Sequence, residues 1–308
     1  MNAYTNITFL TTGASSKIST AANSTGETVI LKISSLAAQR VPHSPLRERA
    51  LLRALGGRRN IVALLSAFTN EDDEVVLVLP FLPVSLSEFA CRNAEVALKR
   101  SITRDITAAI AYLHERGVIH RDIKPQNILL KSASGPAYLT DFGTAWVAPS
   151  SDLCTAAEYG RASVKGEAPR EKVTDVGTGV YRAPELLFGY TAYGAEVDLW
   201  SWGCVLAEVY GEGRRIFEVD DELSEFALVR AIFETLGTPD LESWPEARKF
   251  PAFSKFRFVG YPTKPLAQVL RTAPEEAVEV VASLLRYESS RRESAKGLLS
   301  MRLFSGFV

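Results

Sequence analysis

Short alternating runs of apolar and polar residues fill the first eighty positions, and longer stretches with helical spacing follow them. Ile7-Thr8-Phe9-Leu10, Lys17-Ile18-Ser19-Thr20-Ala21 and Thr28-Val29-Ile30-Leu31-Lys32-Ile33 read as three antiparallel strands, the last two joined by a turn at Ser24-Thr25-Gly26-Glu27. Leu46 to Leu55 has a helical pattern and stops at Gly56-Gly57, where glycine suits the left-handed residue that closes a helix. Two further apolar runs, Ile61 to Phe68 and Val75 to Leu79, predict strands, so five strands and one helix make a small N-terminal lobe. After Pro80-Phe81-Leu82-Pro83, the segments Ser101 to Arg116, Val197 to Tyr210, Leu223 to Leu236 and Glu275 to Tyr287 predict a larger, mainly α second lobe. Ala148 to Lys172 fits neither pattern. It is rich in Ser, Ala, Gly and charge, which predicts a mobile surface insertion.

Composition narrows the function classes. With 46% apolar and 23% charged residues in 308, the chain is that of an ordinary globular protein with room for a sizeable core. A net charge of −1 provides no global basic field, so nucleic acid and anionic lipid are not expected partners, and any phosphate site must be local. The three cysteines, Cys91, Cys154 and Cys204, are widely spaced and include no CxxC, which argues against a disulfide framework or a zinc site. A reducing compartment, cytoplasm or nucleus, is expected. The longest apolar run is too short and too interrupted by proline for a membrane span. Neither end of the sequence resembles a signal peptide, a myristoylation site or a prenylation box.

Chemistry enters at His120-Arg121-Asp122-Ile123-Lys124-Pro125-Gln126-Asn127, followed nineteen residues after Asp122 by Asp141-Phe142-Gly143. Phosphoryl transfer to a hydroxyl needs a carboxylate that orients the nucleophile and accepts its proton, which Asp122 can supply. It also needs oxygen ligands for a divalent metal, available from Asn127 and Asp141, and a cation such as Lys124 near the transferred group. Either motif alone is weak; together, in this order, they are specific.

On these motifs the chain resembles eukaryotic Ser/Thr protein kinases over nearly its whole length, from about Tyr4 to Phe304. The resemblance implies an α+β bilobal fold, a single kinase domain over 1–308. Its parts are a five-stranded antiparallel N-lobe with one helix (1–79), a hinge (80–83) and a mainly α C-lobe (84–308) with an activation segment at 141–185. Val29-Ile30-Leu31-Lys32 is similar to the family's Val-Ala-Ile-Lys strand, which makes Lys32 the phosphate-binding lysine and Glu48 its helix partner. The same resemblance places ATP against Leu10, Gly13, Ile18, Ile30, Leu79, Phe81, Leu82 and Leu129, with Leu79 as gatekeeper. It places Mg2+ on Asn127 and Asp141, and protein substrate near Thr178 and Arg182. Arg182-Ala183-Pro184-Glu185 carries the family's Ala-Pro-Glu, with Arg291 as the expected ion-pair partner of Glu185, and Asp198 is expected to brace the catalytic loop. His120 is expected to pack beneath the site, and His114 and His43 to be surface or packing residues.

Finer features resemble the cyclin-dependent-kinase-like (CMGC) group. Pro42-His43-Ser44-Pro45-Leu46-Arg47-Glu48 is similar to the Pro-Ser-Thr-Ala-Ile-Arg-Glu helix, and Phe233-Glu234-Thr235-Leu236-Gly237-Thr238-Pro239 to that group's insert. The likeness is greatest to single-chain fungal kinases that activate cyclin-dependent kinases. This implies a cyclin-dependent kinase as protein substrate and activity as a monomer. The alternatives are a kinase of the same group with other substrates, and a pseudokinase scaffold.

Four departures stand out. Thr11-Thr12-Gly13-Ala14-Ser15-Ser16 keeps one glycine of the usual phosphate loop, and Ile30 replaces a small alanine against the adenine. Glycines on both sides of Thr178 imply a roomy pocket for the substrate residue after the acceptor. Finally, cyclin-dependent kinases grip a phosphothreonine with three arginines; here Arg47 and Arg121 match two of them, but Trp146 stands at the third position and Val173 at the threonine. The expectation is an activation segment that works unphosphorylated, ordered by packing or by an acidic residue such as Glu171.

Overall fold

The computed structural model describes residues 4–13, 15–37, 41–89, 91–155, 167–221 and 224–305. Strands β1 (Thr5–Thr12), β2 (Lys17–Ala22), β3 (Thr28–Ser35), β4 (Ser66–Thr69) and β5 (Glu74–Pro80) form one antiparallel sheet in the order β1-β2-β3-β5-β4. Alternation along the strands divides its faces. Ala21, Val29, Leu31, Val76 and Val78 make a small apolar layer on one face, while Val75 and Leu77 on the other join Leu51, Leu52 and Leu55 of the neighbouring helix in the main core.

That helix, α1 (Pro45–Leu55), begins where the sequence supplies every start signal. The Ser44 hydroxyl accepts a hydrogen bond from the Arg47 N–H and Pro45 takes the first turn; Gly56 closes the far end at φ 63°. Its buried face carries Glu48 toward the sheet. Ile61 to Phe68 is not one strand. Only Ser66–Thr69 pairs with β5, and Ile61 leaves the sheet to form a single parallel bridge with Leu139.

The larger lobe is built on α2 (Val96–Glu115) and on the helix Glu196–Tyr210. α2 starts five residues earlier than its spacing predicts; its Glu95 cap makes no side-chain hydrogen bond, so no capping signal marks the start. Ile102, Ile106, Ile110 and Leu113 form its buried stripe. The helix Glu196–Tyr210 is buried nearly all round, with Trp200 and Trp202 fully enclosed, and Trp202 Nε1 donates to Thr107 Oγ1 of α2 at 3.0 Å. Helices Glu225–Leu236 and Glu275–Leu284 complete the lobe; the second ends three residues before Tyr287. No described helix is long and apolar enough to cross a membrane.

Two expectations are corrected. The partner of Glu185 is Arg292, which meets it at 2.5 and 2.8 Å with no exposed side-chain surface, while Arg291 faces solvent. The short 3₁₀ turn Ser289–Arg291 rotates successive side chains by about 120°, so adjacent arginines point apart. Arg292→Ala is therefore expected to cost about 3–5 kcal/mol by stranding a buried carboxylate. Arg291→Ala should stay within about 0.5 kcal/mol of wild type. Urea unfolding of the two variants checks the assignment, and a larger effect at Arg291 would contradict it.

The described ends of the Ala148 to Lys172 segment are anchored rather than loose. Ser151 is buried and donates to the Arg116 carbonyl at 2.6 Å, Leu153 is buried beside it, and Lys172 is 3% exposed. Residues 156–166 of that predicted insertion lie outside the described residues.

Candidate active site

Three groups of opposite charge meet where the lobes face each other. Lys32 Nζ of β3 lies 2.7 and 2.8 Å from the two Glu48 oxygens and 2.7 Å from Asp141 Oδ1. Burial works to lower the Lys32 ammonium, but the two carboxylates hold it well above its usual range. Burial would raise Asp141, yet Lys32 keeps its carboxyl well below the usual carboxylate range, while Glu48, fully enclosed, is pushed up by desolvation. One cation against two carboxylates leaves the trio at −1, which favours a further cation on the open side of Asp141. The Phe142 N–H also donates to Glu48 Oε1 at 3.2 Å, so one carboxylate ties α1, the sheet and the Asp-Phe-Gly turn together.

The second group surrounds Asp122. Thr178 Oγ1 donates to Asp122 Oδ1 at 2.7 Å, Lys124 Nζ lies 2.8 Å from Asp122 Oδ2 and 2.7 Å from Thr178 Oγ1, and Asn127 Nδ2 donates to the Asp122 carbonyl and Oδ2 at 2.8 and 3.0 Å. With its NH2 committed to Asp122, the Asn127 amide presents its oxygen as the free acceptor. That oxygen and the half-exposed Asp141 carboxylate are hard oxygen donors suited to a hard divalent cation.

What holds this loop is Asp198, in the first turn of the helix Glu196–Tyr210. Its buried oxygens accept the His120 and Arg121 N–H groups, each at 2.8 Å, and Oδ2 lies 3.0 Å from His114 Nε2. Burial alone would raise the Asp198 carboxyl, but these partners hold it low. His114 is thus part of the brace rather than a plain surface or packing residue. His120 packs edge-on against Phe142, ring centroids 4.9 Å apart, with Nε2 3.0 Å from the Thr140 carbonyl. Asp141 and Arg121 both hold positive φ, 62° and 68°, a conformation that non-glycine residues keep only when the surroundings enforce it.

The expected nucleotide-contacting residues line the cleft side of the sheet. Ile18 pairs across strands with Lys32, and Ile30 with Leu79; Ile18, Ile30 and Leu79 are half-buried, as is Leu129 below. Leu10 and Phe81 are exposed at its rim, and Leu82 is half-buried beyond Phe81. The Gly13 N–H donates to the Ser16 carbonyl at 2.8 Å. His43, expected as a surface or packing residue, sits half-buried with Nδ1 3.5 Å from Ser15 Oγ, under the phosphate loop, where burial lowers its pKa. Among the substrate positions, Thr178 joins Asp122, whereas Arg182 turns away to Glu225 at 2.6 Å and the Thr174 carbonyl at 3.2 Å. Gly177 holds φ 78°, and a Cβ there would meet Arg182 Cγ at 3.1 Å.

A further group was not legible from the motifs. Arg121 is fully enclosed and forms a two-pronged pair with Glu167, 2.6 and 2.9 Å, and the expected Glu171 is exposed instead.

A bilobal α+β architecture with a Lys-Glu pair buried against a half-exposed Asp, beside an Asp-Lys-Thr-Asn cluster, defines a phosphotransferase of the protein kinase class. The chain belongs to the protein kinase family: residues 4–304 match the protein kinase domain, and the protein is a serine/threonine kinase. It is 35% identical over 263 residues to the serine/threonine-protein kinase csk1 of Schizosaccharomyces pombe, covering 84% of this chain and 81% of that protein. Membership implies ATP and a divalent metal as cofactors.

Proposed function

We propose that the protein phosphorylates the activation-segment threonine of cyclin-dependent kinases, using Mg2+ and ATP. In this assignment Asp122 accepts the proton of the incoming threonine hydroxyl, and Thr178 orients that carboxylate. Lys32 binds the nucleotide phosphates and Lys124 offsets charge on the transferred phosphoryl group, while Asn127 and Asp141 hold the metal. A metal held there would supply neutralisation of phosphate charge.

One observation carries the proposal: Glu48 already stands on Lys32 at 2.7 Å, and Thr178 on Asp122 at 2.7 Å, in a single chain. An arrangement complete without a cyclin-like partner suits an enzyme that activates others. The Pro42 to Glu48 motif and the Phe233 to Pro239 run support the same group. Relatedness to a serine/threonine-protein kinase is consistent with threonine as acceptor.

The test is competition between a monomeric cyclin-dependent kinase and a cyclin-bound one for radiolabelled phosphate, with the labelled residue mapped. Labelling of the activation-segment threonine in at least one of them is expected. Efficient transfer to generic protein with none to either kinase would point to other substrates of the same group.

A further inference from the structure

Arg121 precedes the candidate base directly, and nothing about its side chain faces solvent. Its Nε donates to the Thr144 carbonyl at 2.6 Å, Nη1 to Glu167 Oε2 at 2.6 Å and to the Tyr193 hydroxyl at 3.1 Å, and Nη2 to Glu167 Oε1 at 2.9 Å. A guanidinium so enclosed is strongly destabilised unless a counter-charge meets it. Glu167 supplies that charge with the parallel two-pronged geometry in which arginine binds carboxylate most strongly.

Glu167 itself is only 6% exposed in its side chain and is held from two other directions. Its Oε2 accepts the Val173 N–H at 2.8 Å, and its carbonyl accepts Trp146 Nε1 at 3.0 Å. The Lys172 ammonium lies 4.7 Å from the Trp146 ring centre and 5.0 Å from that of Tyr193, whose hydroxyl donates to the Val173 carbonyl at 2.6 Å. Glu167 therefore joins the stretch after Asp-Phe-Gly through its carbonyl, and the loop bearing Asp122 and the segment leading to Thr178 through its carboxylate. Burial would raise the Glu167 carboxyl; Arg121 holds it below its usual range, with the Arg47 charge adding to the effect.

We propose that Glu167 is a positioning residue for phosphoryl transfer: its carboxylate, supplied by the chain itself, fixes Arg121 and hence Asp122, so the active arrangement requires no phosphate on the activation segment. Trp146 fits this role, because it holds the Glu167 backbone where a further cation would be needed only for a doubly charged phosphate. The inference rests on the kinase activity of the chain.

Phosphatase-treated wild type, Glu167→Ala, Glu167→Gln and Glu167→Asp are compared for transfer to a protein substrate, with Glu171→Ala as the control and thermal unfolding to confirm folding. Glu167→Gln and Glu167→Ala should lose kcat by tenfold or more, with KM for ATP within about twofold, and Glu167→Asp should recover most of the rate. Added acetate or formate should raise the rate of Glu167→Ala several-fold and saturably, by refilling the space beside Arg121, and should leave wild type unchanged. Glu171→Ala should match wild type. Glu167→Gln within twofold of an active wild type would overturn the inference alone. So would a loss that neither aspartate nor small carboxylates restore, since that behaviour belongs to a packing residue. A wild type without any transfer would overturn the kinase assignment together with it.

Discussion

Asp122→Asn is expected to reduce kcat by about 10²- to 10⁴-fold, the usual worth of a positioned general base. Asparagine fills the same space and can still accept from Thr178, so the geometry around Lys124 and Asn127 is largely kept. What disappears is the group able to take the proton and the charge opposite Lys124, 2.8 Å away. The loop itself hangs on Asp198 through the His120 and Arg121 N–H groups, which the substitution does not touch. Stability should therefore change by less than about 1 kcal/mol, as for other partly solvated ion pairs. Stopped-flow or radiolabel transfer rates beside a thermal melt measure both. A variant as active as wild type would remove Asp122 from the chemistry.

Lys32→Met should be more damaging, because it does two things at once. It removes the cation that binds nucleotide phosphate, and it leaves Glu48 and Asp141 facing each other with nothing between them. Glu48 is 3% exposed in its side chain, so an uncompensated carboxylate there should cost about 3–5 kcal/mol of folding stability in addition to the loss of transfer. The pH dependence has a definite sign. In wild type, Lys32 is raised and Asp141 depressed. Their contribution is present between the unfolded values of about 3.9 and about 10.4, and is lost as pH falls below the first or rises above the second. In the variant both carboxylates bind protons more readily folded than unfolded, so its stability should rise as pH drops from about 8 to about 5, narrowing the gap to wild type. Urea unfolding at the two pH values reads this out. An equal gap at both, or none, would mean that the trio is not electrostatically coupled as its distances indicate.

Much of the site was legible because its pieces are short and contiguous. His120 to Asn127 and Asp141 to Gly143 each carry their chemistry within eight residues, and the alternation of β3 puts Lys32 and Ile30 on one face without reference to any other element. The helix start at Ser44-Pro45 likewise needs no tertiary context. Errors arose where a choice between near neighbours is made by packing. Glu167 and Glu171 are four residues apart in a charged stretch with no periodicity, and only the burial of Arg121 selects the first. Arg291 and Arg292 differ by one step of a 3₁₀ turn. His114 lies in the last turn of α2, and its role exists only because the helix Glu196–Tyr210 brings Asp198 beside it. Ile61 reads as strand by composition, yet its partner Leu139 lies far along the chain.

The most direct test of the account is a single-turnover transfer of γ-phosphate from ATP and Mg2+ to a protein threonine by wild-type protein stripped of phosphate with phosphatase, measured beside Asp122→Asn. Transfer by the unphosphorylated wild type at a rate unchanged by the phosphatase, and at least a hundredfold above the variant, is the predicted result; activity that vanishes with the phosphate, or no difference between the two proteins, would contradict it.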